Sequence, residues 1–211
     1  MVQVIDSLAR ARPTLPSVRV SVPLPVRRAG GTVARMVSFD GLSDGGDHFA
    51  LVFDCPDAID GPWVRLHSEC VTGDVLGSAR CDCGHQLDAA LARFGRDGGV
   101  LIYLRQEGRG IGLKSKLDAY ALQDKGVDTF AANEALGLPA DAREYRVAAE
   151  MLLALGFKKV RILTANPAKV EQLREAGVDI AAVEALPQTP TPWNRRYLEA
   201  KQRHFSALQP K

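Results

Sequence analysis

Three of the four cysteines in this 211-residue chain fall within CVTGDVLGSARCDCGHQ, from Cys70 to Gln86. Cys81 and Cys83 stand at i and i+2, which in an extended segment puts both side chains on the same side. A disulfide between them would be strained, because a bridge needs its Cα atoms about 4.4–6.8 Å apart with correctly aimed Cβ vectors. Cys70 reaches the same point through a loop that Gly73 and Gly77 make easy. Three thiolates suit Zn²⁺. A catalytic site keeps three protein ligands and leaves the fourth position to water, whereas a structural site closes with four. His67, Asp82 and His85 are candidates for a fourth ligand, so spacing leaves both forms open beside the plainer reading of buried, inert thiols. In the open form the bound water is a hydroxide source near neutral pH. Three anionic sulfurs make such a zinc a weaker acid than three histidines would, so a helper base is expected nearby. Cys55 lies apart and reads as a core thiol.

A second chemical signal is RQEGRGIGLKSK, Arg105 to Lys116. It follows a predicted strand and opens a predicted helix, whose free N–H groups suit an anion. Gly108, Gly110 and Gly112 allow close backbone approach, and Arg105, Arg109, Lys114 and Lys116 add positive charge. It is neither the dinucleotide fingerprint nor the phosphate loop ending in Gly-Lys-Ser/Thr, and a plain tight turn with solvated lysines is the competing reading. LTANPAKVE gives a similar strand-to-helix junction at Thr164 to Lys169, where a well-capped helix is an equally good account. Two such junctions in one α/β domain favour a polyanionic ligand. In DARE, Asp141 is a good N-cap and Glu144 completes a capping box. Arg143 then sits near the positive end of a helix dipole, an unfavourable place that hints at another job. Spacing alone assigns no role to Tyr120, His67 or His85.

The elements that position these residues alternate. TVARMVSF, FALVFD and PWVRLHSE read as strands, the last with Trp63, Arg65 and His67 on one side and Val64, Leu66 and Ser68 on the other. HQLDAALARFG reads as a helix with Leu87, Leu91 and Phe94 on one face, and GVLIYL as a buried strand. LKSKLDAYALQDKG is a predicted helix, and ADAREYRVAAEMLLALG a long one stopped at Gly156. VRILTA is a strand, NPAKVEQLREAG a helix capped by Asn166 with Pro167 in its first turn, and VDIAAVEAL a last strand. This alternation predicts a mixed, layered α/β domain over residues 31–186. Residues 1–30 read as an extended, partly mobile arm, and 187–211 as a polar, Pro-rich tail, partly mobile, that ends in a short helix. Composition is that of an ordinary globular protein, 46% hydrophobic and 25% charged. A net charge of +2 gives no electrostatic reason to expect nucleic acid as a partner. The N-terminus shows no apolar targeting segment, and VAAEMLLALGF is too short to span a bilayer. A cytoplasmic protein without membrane contact is the expectation, and in a reducing compartment clustered cysteines bind metal or react.

With these pieces in view the chain resembles GTP cyclohydrolase II. RLHSECVTGD, RCDCGHQLDAAL, RQEGRGIGL, AYALQDKGVDT, LPADAREY and LTANPAKV carry the likeness, in the family's order and spacing, over about residues 31 to 205. The three-cysteine cluster with these flanks is the specific part. The resemblance implies a homodimeric α/β enzyme of the GTP cyclohydrolase II type that opens the imidazole ring of GTP. The products would be formate, pyrophosphate and a diaminopyrimidinone ribosyl phosphate, on the way to riboflavin or a related metabolite. It implies zinc on Cys70, Cys81 and Cys83, and Mg²⁺ on the triphosphate. It places GTP against Arg65, Leu66, His67, Ser68, Glu69, Gln86, Glu107, Gly108, Arg109, Thr129, Thr164 and Lys169, with Glu107 or Gln86 as candidate readers of the guanine edge. It matches Asp141 to a proton acceptor, Arg143 to a nucleophile toward the α-phosphorus, and Tyr120 to a tyrosine near the reacting base. A guanidine is normally cationic, so the rival role for Arg143 is charge stabilisation while water attacks phosphorus. Gly110, Ala165 and Ala168 depart from residues common in relatives and remove no proposed ligand. Two alternatives are a paralogue that stops at a formamide product and a non-catalytic, zinc-stabilised nucleotide-binding module.

Overall fold

The structure is a computed structural model, and it describes residues 15–54, 59–127, 129–139 and 141–207. The reading of Cys55 as a core thiol lies outside the described residues. Seven strands form one sheet: β1 (Ser17–Pro25), β2 (Val33–Asp40), β3 (Phe49–Phe53), β4 (Trp63–Ser68), β5 (Gly99–Leu104), β6 (Lys159–Leu163) and β7 (Asp179–Glu184). Their spatial order is β1-β2-β3-β5-β4-β6-β7. The pairs from β1 to β5 are antiparallel, and those from β5 through β4 and β6 to β7 are parallel. This is the mixed α/β layering that the alternation of patterns predicts.

Both faces of the central strands are covered. Helix α1 (Cys83–Asp97) lays Leu87, Ala90, Leu91 and Phe94 on one face, against Leu51, Phe53 and Leu101. Those positions are the i, i+3, i+4, i+7 stripe of an amphipathic helix. Helices α4 (Arg146–Ala154) and α5 (Pro167–Glu175) cover the other face, with Met151, Leu152 and Leu173 against Val64, Leu66 and Ile102. Met151 and Leu152 are fully buried; each such side chain stabilises the fold by about 1.5–3 kcal/mol. The link from β4 to β5 thus crosses one face through α1. The link from β5 to β6 runs through α2 (Gly112–Gln123), α3 (Thr129–Ala135) and α4, the last on the opposite face. Where connections leave neighbouring parallel strands in opposite directions, a crevice opens at the carboxyl ends of the strands.

Four expectations need correction. The long helix read from Ala140 begins only at Arg146. Asp141 is not its N-cap, because its carboxylate is engaged by the Arg143 side chain and backbone N–H. The extended arm read over residues 1–30 contains β1, hydrogen-bonded to β2. Val18, Val20, Val22 and Leu24 alternate in β1 as a strand should, and Pro23 and Pro25, which mask the signal, are tolerated at a sheet edge. The segment Cys81–Cys83 is not extended, since Cys83 opens α1. The tail carries a helix where one was expected, α6 (Arg195–Ala207), anchored by buried Asn194, Leu198 and Ala200. Among the described residues no helix is long and apolar enough to cross a membrane.

Candidate metal and nucleotide site

The crevice lies where β4, β5 and β6 end. Cys70 follows β4, and Cys81 and Cys83 come in on the turn that starts α1. Their three sulfurs gather within 4.8 Å of one another, with 3.7 Å between those of Cys70 and Cys81. That is far beyond a disulfide bond of about 2.05 Å. It matches the edge of about 3.8 Å expected between two sulfurs bound tetrahedrally at about 2.3 Å from one zinc. Hydrogen bonds from the Cys81 and Cys83 thiols pull the Cys70 thiol strongly down; burial opposes them and the Lys116 ammonium adds to them. Cys81 is pushed up to about 11 and Cys83 well above its ordinary value, each chiefly by the Cys70 sulfur. One thiolate, paired with Lys116, is therefore favoured here without a metal ion, and three are not. A donor set of this kind fits Zn²⁺. No His, Asp or Glu joins the cluster among the described residues, so the closed four-ligand form finds no support there.

The loop over residues 70–83, the candidate metal loop, is held from several sides. Asp74, buried, accepts from the Cys70 N–H, from Tyr103 Oη and, with both oxygens, from His67 Nε2 at 3.0 Å. The Asp74 carbonyl accepts from Arg28. Glu107 accepts from the Val71 and Gly108 N–H groups and from Lys116 Nζ, which also donates to Cys70 Sγ at 3.1 Å. Gly84 packs so closely that an added Cβ would lie 2.4 Å from the Gly73 carbonyl oxygen, so α1 meets this loop only through a glycine.

The three thiols line a cavity with Glu107, Arg109, Lys116 and Tyr120. Tyr120 lies under the Arg80 guanidinium, 4.3 Å from the ring centre, and Asp124 holds Arg80 through two hydrogen bonds. Burial keeps the Tyr120 phenol above its ordinary pKa, with Lys116 opposing. Ser68, Cys83, Arg109, Arg143 and Tyr197 also belong to an adjoining cavity, where Arg65, His67, Asp141, Lys169 and Lys201 converge. Burial lowers Lys169 well below an ordinary lysine, and the cations of Arg65, Arg143 and Lys201 add to the effect. Burial also lowers Arg143, but the two-pronged contact with Asp141 more than reverses it and keeps the guanidinium charged. Burial raises Asp141, and Arg143 again wins, leaving the carboxyl below its ordinary value. Buried polar atoms on the cavity walls without a hydrogen-bond partner include Arg65 Nε, His67 Nδ1 and Gln106 Oε1. Buried polar groups are normally paired, so these atoms are available to a polar ligand or to water.

Comparison with known proteins agrees with this geometry. The sequence matches the model of the family described as GTP cyclohydrolase II over residues 18–187. The chain belongs to the GTP cyclohydrolase II family. It is 46% identical over 188 residues to the GTP cyclohydrolase-2 of Vibrio cholerae, covering 89% of this chain and 95% of that protein. It is 47% identical to the Vibrio parahaemolyticus protein of the same name, with the same coverage. Its likeness to the riboflavin biosynthesis protein RibBA of Thermotoga maritima is 49% over 170 residues, 80% of this chain and 43% of that protein.

Most residues that the GTP cyclohydrolase II resemblance singles out meet in these two cavities. The structure alters how four of them can act. The Leu66 side chain lies in the core, and only its carbonyl faces the site, accepting from Lys169 Nζ at 2.7 Å. Glu107 has its carboxylate committed to the metal loop and Lys116, so it is not free to read a guanine edge. Gln86 is equally engaged, accepting from Arg65 and donating to Asp82. Thr164 lines the cavity, but its hydroxyl accepts from the Asn166 N–H and so shapes the start of α5. Ser68, Glu69 and Gly108 lie on the cavity walls. Thr129 begins α3, and its side chain is outside what the structure describes. Sequence reasoning missed Asp74, Arg80, Tyr197 and Lys201. Arg80 and Asp74 sit inside the quoted motifs and were findable there. Tyr197 and Lys201 are in the tail, where no local signal marks them.

Proposed function

We propose that this chain catalyses the GTP cyclohydrolase II reaction. It opens GTP at C8 of guanine, releases formate and pyrophosphate, and leaves 2,5-diamino-6-(5-phosphoribosylamino)pyrimidin-4(3H)-one for riboflavin synthesis or a related pathway. It acts in the cytoplasm as a homodimer, with Mg²⁺ on the triphosphate. One observation carries the reading: three convergent thiols share walls with a cluster of cations, an arrangement that suits a metal and a polyphosphate side by side. Cys70, Cys81 and Cys83 would hold Zn²⁺. Bound there, zinc supplies the Lewis acidity that makes water a nucleophile near neutral pH.

The chain's own groups do the rest. Arg65, Arg109, Arg143 and Lys169 meet the triphosphate and the charge that develops as pyrophosphate leaves. His67 donates through Nε2 to Asp74, so its buried Nδ1 is an acceptor that suits an N–H or O–H of the nucleoside. Tyr120, kept protonated and clamped by Arg80, is a proton donor beside the metal cluster. Asp141 keeps Arg143 cationic and aimed.

The test is product analysis on purified, zinc-loaded protein with GTP and Mg²⁺. Formate and pyrophosphate in equal amounts with a ring-opened pyrimidine are expected. Pyrophosphate with a formamide product would mean an early-stopping paralogue, and bound but unreacted GTP would mean a nucleotide-binding module.

Lys169 gives a pH signature. The free protein holds its ammonium below the ordinary lysine pKa, and a polyanion favours the charged form. Between the depressed and the ordinary pKa, nucleotide binding therefore takes up protons and weakens as pH rises. Calorimetric titration with a slowly hydrolysed GTP analogue, in two buffers of different ionisation enthalpy, reads the uptake directly. No net uptake at any pH in that range would refute this account of Lys169.

A further inference from the structure

The match to the family model ends at residue 187, before α6 begins. Yet α6 contributes to both cavities. Tyr197 is one of five residues common to the two, standing between the metal half and the cationic half. Its ring faces Arg109 on one element and Lys201 on its own, each 5.8 Å from the ring centre. Lys201 Nζ lies 3.3 and 3.2 Å from the two oxygens of Asp82. Asp82 is almost wholly buried, lies between Cys81 and Cys83 in the sequence, and also accepts from Gln86. A buried carboxylate without a cation is costly, and Lys201 is the cation that meets this one.

The docking of α6 is built rather than incidental. Asn194, with no exposed surface, accepts from the Thr191 N–H, donates its own N–H to Thr191 Oγ1, and donates through its amide to the Thr189 carbonyl. Thr191 Oγ1 also reaches the Ala79 carbonyl in the metal loop. Leu198 and Ala200 are buried on the inner face of the helix, while Glu199 between them is exposed.

We propose that α6 is a working wall of the active site: Lys201 is a positioning residue that fixes Asp82 and so the two thiols beside it, and Tyr197 is a substrate-contacting residue where the metal and phosphate halves meet. This rests on the GTP cyclohydrolase II reading for the substrate, but not for the metal. The experiment uses the full chain with Lys201→Met, Lys201→Arg, Tyr197→Ala and, as an exposed control on the same helix, Glu199→Ala. Far-UV circular dichroism checks that each variant folds. Zinc retention is measured by competition with a chromogenic chelator, and KM and kcat for GTP by pyrophosphate release.

Lys201→Met is expected to weaken zinc retention about 10-fold or more, Lys201→Arg to restore most of it, and Glu199→Ala to match the parent. Tyr197→Ala is expected to raise KM about 10-fold, with a smaller change in kcat. Parent-like zinc retention in Lys201→Met, or an unchanged KM in Tyr197→Ala, overturns the inference. The zinc measurement needs no turnover, so it still decides the role of Lys201 if GTP proves not to be the substrate. Parent turnover with unaltered variants counts against the α6 proposal alone.

Discussion

Single replacement of Cys70, Cys81 or Cys83 by serine leaves a folded chain that no longer retains zinc and opens GTP at least about three orders of magnitude more slowly. The fold survives because the two hydrophobic cores are built from other residues. The larger joins β2 to β7 with α4 and α5, and the second seats α1 on the opposite face of the sheet. The thiols stand at the end of β4 and the start of α1, beside these cores rather than within them. Serine offers a harder, weakly acidic oxygen in place of a thiolate and cannot supply the donor set that zinc prefers. Zinc content per chain by elemental analysis, circular dichroism and formate release together decide the matter. Variants that unfold would show that the metal is structural. Variants that keep zinc and turnover would remove the cluster from the chemistry altogether.

Arg143→Lys keeps a measurable part of pyrophosphate release and forms no nucleotide adduct, whereas Arg143→Ala loses about 10²–10³-fold. The reason is the ion pair. Asp141 contacts Arg143 through Nε at 2.8 Å and through Nη2, and also accepts from the Arg143 N–H. The guanidinium is driven further from its neutral form, and the carboxylate is a weaker base than an isolated one. Proton transfer from Arg143 to Asp141 is thereby disfavoured from both ends, and a charged guanidinium is no nucleophile. What the pair does well is present a fixed positive charge to phosphate oxygens. Lysine keeps that charge without the two-pronged geometry, which is why partial activity is expected. Asp141→Asn should lose activity because Arg143 is no longer held in place. Mass spectrometry of quenched single-turnover mixtures provides the check. A guanylyl group on Arg143 would replace this electrostatic role with the covalent one.

The thiol cluster and the element order were open to reading because each depends on local pattern. Cys81 and Cys83 are two residues apart, and a short loop brings Cys70 to them whether the segment is extended or, as found, turns into α1. The stripe of Leu87, Leu91 and Phe94 specifies a helix face, and the run GVLIYL specifies a buried strand, because periodicity and burial are properties of short segments. Asn166 and Pro167 cap α5 for the same reason, with the Asn166 side chain accepting from the Ala168 N–H.

Other features depend on which of several partners the packing selects, near or far along the chain. Asp141 has the sequence of a helix cap, yet the guanidinium of Arg143 takes its oxygens, and Tyr145 stands at the N-cap position instead. Glu107 and Gln86 look like free polar groups suited to reading a base. Contacts with residues 71 and 116, and with residues 65 and 82, commit them elsewhere. β1 declares itself only by pairing with β2. Tyr197 and Lys201 enter the site only because α6 folds back over the metal loop, 119 residues beyond Asp82 in the case of Lys201. Local chemistry could be read along the chain. The partner that each charged group finds was settled by the packing of α1, α6 and the β4, β5 and β6 ends into one crevice, because a buried charge takes whatever counter-charge the tertiary fold brings within reach.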